Sequence, residues 1–469
     1  MRQNTISVRR ENRTLENFKS FISEEKHENY RVVVISNELG DKAITAKRME
    51  EEANKLEYPY YIVPMDGTYT VLNDGVRTVH KQDDEKGFEI HTNDTVIFIR
   101  GTPERDSHLD LITQFQRAGY CVVNSRECLE VATDKYRSYL RLKDFGLTQP
   151  KTVLVPNEKT VEKSFQELDT KFPIVLKTLR GSKGVGVLFV ESERSLNSLV
   201  QLLFKQDKAT DILIQEYIQT DFDVRVLVLG GKVIATMKRN VVEGDFRSNA
   251  SQGAKVEKYD LSELELEQCI LAAKAIGGTF TGVDFIPSSD PENKPPYILE
   301  INSSPGTENI EKANNKNIVR DVLTYFNNPD LRYTVPNECG WEEVVEVKPF
   351  GQLTAKFDTG NYKYPVLHAE DISIGSSKKI TFTNNGKSIT TNLIGQYTSI
   401  TGGGEDDRYI VELEFEFAGT NYGKIMFGLD NRDRMGTDVL LNRKIMSDLN
   451  VMVNPQRKYL ITTKVSLDK

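Results

Sequence analysis

Residues 172–192, FPIVLKTLRGSKGVGVLFVES, decide how this chain reads. Two apolar runs, Ile174-Val175-Leu176 and Val187-Leu188-Phe189-Val190, flank Arg180-Gly181-Ser182-Lys183-Gly184-Val185-Gly186, which predicts a hairpin closed by a glycine-rich turn. Glycines there let backbone N–H groups approach phosphate oxygens unobstructed, and Lys177 at the end of the incoming strand supplies a charge-assisted contact. A plain flexible turn with incidental lysines has the same composition, so this stretch alone leaves the chemistry open. It is not a Walker loop, because G-x-x-x-x-G-K-[ST] is absent: Gly386-Lys387-Ser388 lacks the first glycine.

Downstream, Thr281-Gly282-Val283-Asp284-Phe285-Ile286 and Tyr297-Ile298-Leu299-Glu300-Ile301-Asn302 read as two further strands. Residues two apart on a strand share a face, so Glu300 and Asn302 project together while Leu299 and Ile301 go to the other side. With Asp284 on a neighbouring strand they supply three oxygen ligands, the type magnesium prefers beside substrate phosphates. Polar strand ends facing solvent have the same pattern.

Further out, Val32-Val33-Val34-Ile35 is a buried-strand run opening an α/β unit, behind a polar stretch at 1–29. Strand-like runs (YPYYIVP, DTVIFIR, YCVVNS) alternate with helical ones (ITAKRMEEEANKL, SHLDLITQFQRAG), the pattern of an open parallel sheet ending near residue 134. From Lys135 to Asn328 the strands FPIVLKT, VLFVES, DILIQEYI, VRVLVLGGKVIATMKR, TGVDFI and YILEIN are separated by helices at 193–205 and 262–277, a mixed α+β body. Asn327-Asn328-Pro329-Asp330 and Pro336-Asn337-Glu338 mark a linker at 329–338. Residues 339–469, rich in Thr, Gly and alternating strands with one helix at LNRKIMSDL, read as a small all-β barrel.

The chain has 469 residues, which at roughly 100–200 residues per domain excludes a single small module. No stretch reaches the roughly 18 apolar residues of a membrane span, so membrane insertion is not expected. With 61 Lys+Arg against 69 Asp+Glu there is no global basic field for nucleic acid. The 4 cysteines form no C-x-x-C pair, which argues against a zinc ribbon or disulfide framework and fits a reducing cytoplasm. The first residues show no apolar run followed by small residues, so no signal peptide is read there.

The order Lys135, Lys177, Gln215-Glu216-Tyr217-Ile218, Asp223-Val224-Arg225, Glu243-Gly244-Asp245-Phe246-Arg247-Ser248-Asn249, Gly282-Val283-Asp284 and Glu300-Ile301-Asn302-Ser303-Ser304-Pro305-Gly306 resembles the ATP-grasp fold. More closely it resembles the RimK-type glutamate ligases, which extend the C-terminus of a ribosomal protein, and the resemblance covers residues 90–327. It implies ATP and Mg2+ (or Mn2+) as cofactors, with Lys135 and Lys177 on the phosphates, Glu216 and Tyr217 at the adenine edge and Asp223 on the ribose. It also implies Arg247, Ser248 and Asn249 in a nucleotide-binding segment, Asp284, Glu300 and Asn302 as magnesium ligands, and Arg239 as a catalytic cation near the transferred phosphoryl group. Phosphoryl transfer is catalysed mostly by positioned cations, so the residue types agree with that chemistry. Lys183 departs from the family, where a neutral residue is usual.

In the C-terminal region Gly340-Trp341-Glu342-Glu343-Val344, Ala355-Lys356-Phe357-Asp358-Thr359-Gly360, Leu367-His368-Ala369, Asn431-Arg432-Asp433-Arg434-Met435-Gly436 and Leu440-Leu441-Asn442-Arg443 resemble the RimB-type retropepsin-like domain. That family was often labelled an ATP-dependent zinc protease. Aspartic proteases need two aspartates sharing a proton, so the single Asp358-Thr359-Gly360 implies a homodimer with Asp358 catalytic in each copy. Asn361 stands where the family carries a small residue, and Asn442 where it carries glycine. The 5 histidines include no H-E-x-x-H, so His368 reads as structural or substrate-side rather than a zinc ligand.

The expected fold class is thus α+β multidomain: an α/β pre-ATP-grasp domain at 30–134, an ATP-grasp fold at 135–328 and an all-β retropepsin-like barrel at 339–469. The expected function is ATP-dependent ligation of an amino acid or peptide amine to a protein or peptide carboxylate, with the barrel cleaving the same substrate. A noncatalytic docking barrel and a small-metabolite ligase are the alternatives.

Overall fold

The computed structural model describes residues 30–71, 78–82, 84–179, 186–206, 211–241, 256–401 and 404–463. It divides into two compact units, the first ending at Thr334 and the second beginning at Val335.

The first unit opens with β1 (Arg31–Ser36), α1 (Ile44–Lys55) and β2 (Tyr60–Pro64), followed by a small sheet of β3 (Thr68–Thr70), β4 (Thr78–Lys81) and β5 (Asp84–Glu89). Next come β6 (Thr95–Arg100), α2 (Asp106–Arg117), β7 (Cys121–Val123) and α3 (Arg126–Thr133). Among the described residues β1, β2, β6 and β7 form one parallel sheet in the order β2-β1-β6-β7. Buried on both faces, β1 is apolar from Val32 to Ile35: Val32 and Val34 point toward α1, whereas Val33 and Ile35 face Leu111, Ile112 and Phe115 of α2.

The chain continues through α4 (Lys135–Asp144), β8 (Thr152–Val155), α5 (Val161–Leu168), β9 (Ile174–Thr178), β10 (Val187–Val190), α6 (Glu193–Gln206) and β11 (Ile212–Glu216). These strands make an antiparallel sheet in the order β10-β9-β11-β8, covered by apolar residues of α5 and α6. A second antiparallel sheet follows: β12 (Phe222–Leu229), β13 (Lys232–Asn240), β14 (Val256–Glu257), α7 (Glu263–Ala275), β15 (Phe280–Ile286) and β16 (Tyr297–Asn302), in the order β14-β13-β12-β15-β16. The run VRVLVLGGKVIATMKR, which reads as one stretch in sequence, is two strands. Gly230 and Gly231 both take positive φ (55° and 75°), the turn geometry that folds a hairpin back without splaying its strands.

The faces of this second sheet differ. Val224, Val226, Val228, Val283, Phe285, Ile298 and Ile301 pack against α7, whose start is fixed by a capping box between Ser262 and Glu265. On the opposite face Leu227, Leu229, Ala235, Met237 and Phe280 join Val32, Val34, Val96 and Phe98 of the first sheet in one core. Two helices, α8 (Glu308–Asn314) and α9 (Ile318–Asn327), contribute Ile310, Val319, Leu323 and Phe326 to it. Residues 30–134 therefore share their core with the segment that follows them.

The second unit contains β17 (Asn337–Gly340), β18 (Glu342–Val347), β19 (Gly351–Phe357), β20 (Val366–His368), β21 (Glu370–Ile374), β22 (Lys379–Asn384), β23 (Lys387–Asn392), β24 (Gly395–Thr401), β25 (Gly404–Phe417), β26 (Thr420–Asp430), β27 (Val439–Leu441), α10 (Arg443–Asp448) and β28 (Val451–Asn454). The strand order β18-β19-β27-β20-β26-β25 returns on itself because β18 also pairs with β25, so hydrogen bonds close a ring, with β24 added at β25. Alternate residues such as Val345, Leu353, Phe357, Leu413, Phe415, Phe427 and Leu441 fill one core, the period-2 pattern of strands apolar on one side.

Candidate active site

Strand register assembles the polar end of the second sheet. Asp223 on β12 pairs with Arg239 on β13, Arg225 pairs with Asp284 on β15, and Asp284 pairs in turn with Glu300 on β16. All lie on one face, with Asn302 two residues beyond Glu300. A bulge between Asp284 and Phe285 leaves Leu299 as the extra residue, so Ile298 rather than Leu299 joins Ile301 in the core against α7. The bulge interrupts strict alternation yet leaves Glu300 opposite Asp284.

The charges on this face are tightly paired. Arg239 is 6% exposed and donates from Nε and Nη2 to the two carboxylate oxygens of Asp223, each at 2.7 Å, while its Nη2 lies 3.0 Å from Asp284 Oδ2. Arg225 grips Asp284 the same way, Nε to Oδ1 at 2.7 Å and Nη2 to Oδ2 at 2.6 Å, and its Nη2 comes within 4.0 Å of Glu300. Such two-pronged arginine–carboxylate pairs fix geometry as well as charge. Burial alone would raise the Asp284 carboxyl, but Arg225 and Arg239 hold it well below the usual carboxylate range. Burial alone would lower Arg239, but Asp284 and Asp223 raise it, so it stays charged.

Two carboxylates and an amide form an oxygen donor set suited to a hard divalent cation. Glu300 keeps about half of its side chain in solvent and accepts from Asn302 Nδ2 at 3.4 Å, so the two point together away from the sheet. Asp284 has about four acceptor positions, of which three take N–H groups, one on Oδ1 and two on Oδ2. One position on Oδ1 remains beside Glu300, and the three residues fit a magnesium ion.

The first antiparallel sheet and α4 bring cations to this face. Lys177 sits between Val187 on β10 and Leu213 on β11, and its ammonium is lowered to about 8, mainly by burial and further by Lys135, against the pull of Glu300. Lys135 opens α4, contacts the Leu179 carbonyl at 3.4 Å, and is also lowered by burial, opposed by Glu300 and Asp134. Glu216 ends β11 with its N–H on the Lys151 carbonyl and its carboxylate accepting the Lys151 N–H, and Tyr217 meets Phe189 edge-on at 5.0 Å. Glu216 and Tyr217 thus stand where the chain passes from one sheet to the other. Arg247, Ser248 and Asn249 lie outside the described residues, as do Arg180–Val185 of the glycine turn with Lys183. Asp223, which the resemblance puts on the ribose, has both oxygens on Arg239 and serves in this structure as that arginine's anchor.

In the second unit Asp358 follows β19. Its N–H donates to the Leu441 carbonyl at 3.0 Å and its Oδ1 accepts from Gly360 N–H at 2.8 Å. Two asparagines brace the neighbouring loop: Asn361 Nδ2 donates to the Tyr364 carbonyl at 2.8 Å, and Asn442 Nδ2 to the Lys363 carbonyl at 2.9 Å. Buried Arg432, whose charge is disfavoured chiefly by burial, lies in electrostatic reach of Asp430, Asp438 and Asp358.

Among the described residues His368, Glu370 and Asp433 also converge, with Nε2 at 3.3 Å from Asp433 and 4.0 Å from Glu370. Sequence spacing did not reveal Asp433, which the β26 turn delivers. His368 Nδ1 accepts the Arg432 N–H at 3.0 Å. Through Arg432 and Asp433 the ring anchors the segment that follows β26.

The motif Asp223-Val224-Arg225 gives Arg225 no role of its own, although its spacing of two from Asp223 puts both on one strand face. Asn124 and Arg100, which tie the first sheet to the turn after Asn302, carry no motif of their own.

The RimK-like ATP-grasp domain family matches residues 132–326. The chain is similar to a probable alpha-L-glutamate ligase of Psychromonas ingrahamii, 31% identical over 298 residues, which span 63% of this chain and 94% of that protein. A protein of the same description from Haemophilus influenzae is 33% identical over 245 residues, 52% of this chain and 78% of that one. A solved RimK-domain ATP-grasp protein from Sphaerobacter thermophilus aligns with a TM-score of 0.47 at 15% identity, covering 64% of this chain and 99% of that chain.

Proposed function

Because the chain belongs to the RimK-like ATP-grasp family and is an ATP-dependent carboxylate–amine ligase, we propose that it adds an amino acid, glutamate first among the candidates, to a carboxylate of a protein or peptide. The observation that carries this is the single sheet face holding Arg239, Asp223, Arg225, Asp284, Glu300 and Asn302, with Lys177 and Lys135 in electrostatic reach of Glu300. Lys135, Lys177, Arg225 and Arg239 bring four cations to this face, which suits a polyphosphate.

In this proposal Lys135 and Lys177 bind ATP phosphates, and Glu216 and Tyr217 flank the base. Arg247, Ser248 and Asn249 complete the nucleotide site. Asp284, Glu300 and Asn302 hold magnesium, which when bound neutralises phosphate charge and orients the terminal phosphoryl group. An oxygen of the substrate carboxylate takes the γ-phosphoryl group and ADP leaves; the amine then displaces inorganic phosphate, giving an amide. Arg239, held rigid by Asp223 and Asp284, faces the charge that spreads during transfer, a preorganised cation rather than a nucleophile.

For the second unit we propose a retropepsin-like peptidase, in which Asp358 from each of two copies activates water against a peptide bond of the same substrate. The Asn361 and Asn442 braces favour a second reading, a noncatalytic docking module. The four cysteines are free and buried, which suits the cytoplasm as its location.

The test is ADP release with magnesium and a panel of single amino acids, with and without acceptor proteins, followed by intact-mass analysis. Mass increments on a protein support the proposal; ADP release only with small acids favours a metabolite ligase. Asp358→Asn should abolish peptide cleavage with ligation kept, whereas an unchanged product pattern favours docking.

A further inference from the structure

The turn that follows the metal ligands is held from outside its own sheet. Asn124, fully buried at the end of β7, uses both halves of its amide. Its Oδ1 accepts the N–H groups of Thr279 at 2.7 Å and Phe280 at 3.1 Å, and its Nδ2 donates to the carbonyls of Phe280 at 2.6 Å and Ser303 at 2.7 Å. That is the full capacity of an asparagine side chain. Ser303 is the residue after Asn302, and Phe280 begins the strand that carries Asp284.

The next two residues of the turn are tied to the end of β6. Gly101 N–H donates to Ser304 Oγ at 2.9 Å, and Arg100 Nη2 donates to the Pro305 carbonyl at 2.7 Å. A Cβ at Gly282, the register partner of Asn302, would come within 3.1 Å of Pro305 Cβ, so the turn also packs close on β15. Three consecutive residues, 303 to 305, thus each take one bond from the carboxyl edge of the first parallel sheet.

We infer that Asn124 and Arg100 are positioning residues for the metal site: through Ser303 and Pro305 they fix the rotation of the β16 end and hence where Asn302 presents its amide oxygen. Supports one step behind a metal ligand set its orientation. The inference rests on the ligase reading above, because it takes Asn302 as a ligand.

The test uses the full chain, with Mn2+ as probe. Free Mn2+ is followed by electron paramagnetic resonance in the presence of ADP, ADP binding without metal is measured separately, and the thermal midpoint is recorded. Asn124→Asp keeps the acceptors and loses both donors; Arg100→Lys removes the reach to Pro305 and keeps the charge. Each should weaken Mn2+ affinity in the ADP complex by about tenfold, with metal-free ADP affinity unchanged, a split that a general loss of stability does not produce. A folded Asn124→Asp protein binding Mn2+ like the parent overturns the inference. If Asn124→Asp does not fold, Arg100→Lys decides, and parental Mn2+ affinity there overturns it. Parent protein that binds no Mn2+ with ADP overturns the ligase reading as well, so the two failures are distinct.

Discussion

Replacing Asp223 by asparagine removes one prong of the Arg239 clamp and its charge, leaving a 93% buried guanidinium side chain with Asp284 alone. Unit charges about 4 Å apart interact by about 4 kcal/mol at an effective dielectric of about 20. Losing one partner of a buried pair costs about 3–5 kcal/mol, and retention of Asp284 puts the expected cost near the lower figure. The sole tryptophan, Trp341, lies in the second unit, so its fluorescence reports that unit during urea unfolding. Helical circular dichroism reports the first unit, which holds α1 to α9. In Asp223→Asn the helical transition should move to lower urea by an amount worth about 3 kcal/mol while the tryptophan transition stays in place. Adding Arg239→Gln should cost less than the sum of the two single changes, by about 1–3 kcal/mol. A helical transition within about 0.5 kcal/mol of the parent, or an additive double mutant, would refute the assignment of Asp223 as the anchor of Arg239.

Lys177 is charged below about pH 8 and loses its proton above it. Metal-free ADP affinity should therefore fall between pH 7 and 9, with proton uptake on binding seen by calorimetry in two buffers; Lys177→Arg should bind without uptake, and a flat profile in the parent disproves the phosphate role. The Asp284 carboxyl is held well below its unfolded value near 3.9, so its stabilisation is complete above that pH and is lost as pH falls below it. Helical stability should drop between pH 4 and 2, less steeply in Asp284→Asn, and equal slopes would contradict the linkage. Gly186 has φ of +79° and a Cβ there would collide with Thr178 Oγ1, so Gly186→Ala should cost at least about 1 kcal/mol and weaken nucleotide binding. Parental stability and ADP affinity would show that the hairpin adapts.

Much of the proposed ligase site is legible in sequence because its residues sit on strands. Alternation put Glu300 beside Asn302, and the apolar runs around Lys177 announced the hairpin that carries it. What was not legible depended on pairing between distant segments. Nothing local says that Asp223 meets Arg239, or that Arg225 takes Asp284; those contacts follow from the β12–β13 and β12–β15 registers. Alternation puts Leu299 with Ile301 on the side opposite Glu300, whereas Ile298 is the residue that joins Ile301 in the core, since a bulge is a property of two strands together.

Local pattern by itself outlined most strands and helices, most of their apolar faces, and the side chains whose donor chemistry suits phosphate or a cation, because periodicity and residue type act over a few neighbours. Tertiary structure alone decided that residues 30–134 share a core with the ligase sheet, that Asn124 reaches across 155 and 179 positions of chain to Thr279 and Ser303, and that His368 Nε2 comes within 3.3 Å of Asp433. Those outcomes depend on cross-strand register and on hydrogen bonds closed between segments far apart in sequence, and such bonds form only once the sheets have packed.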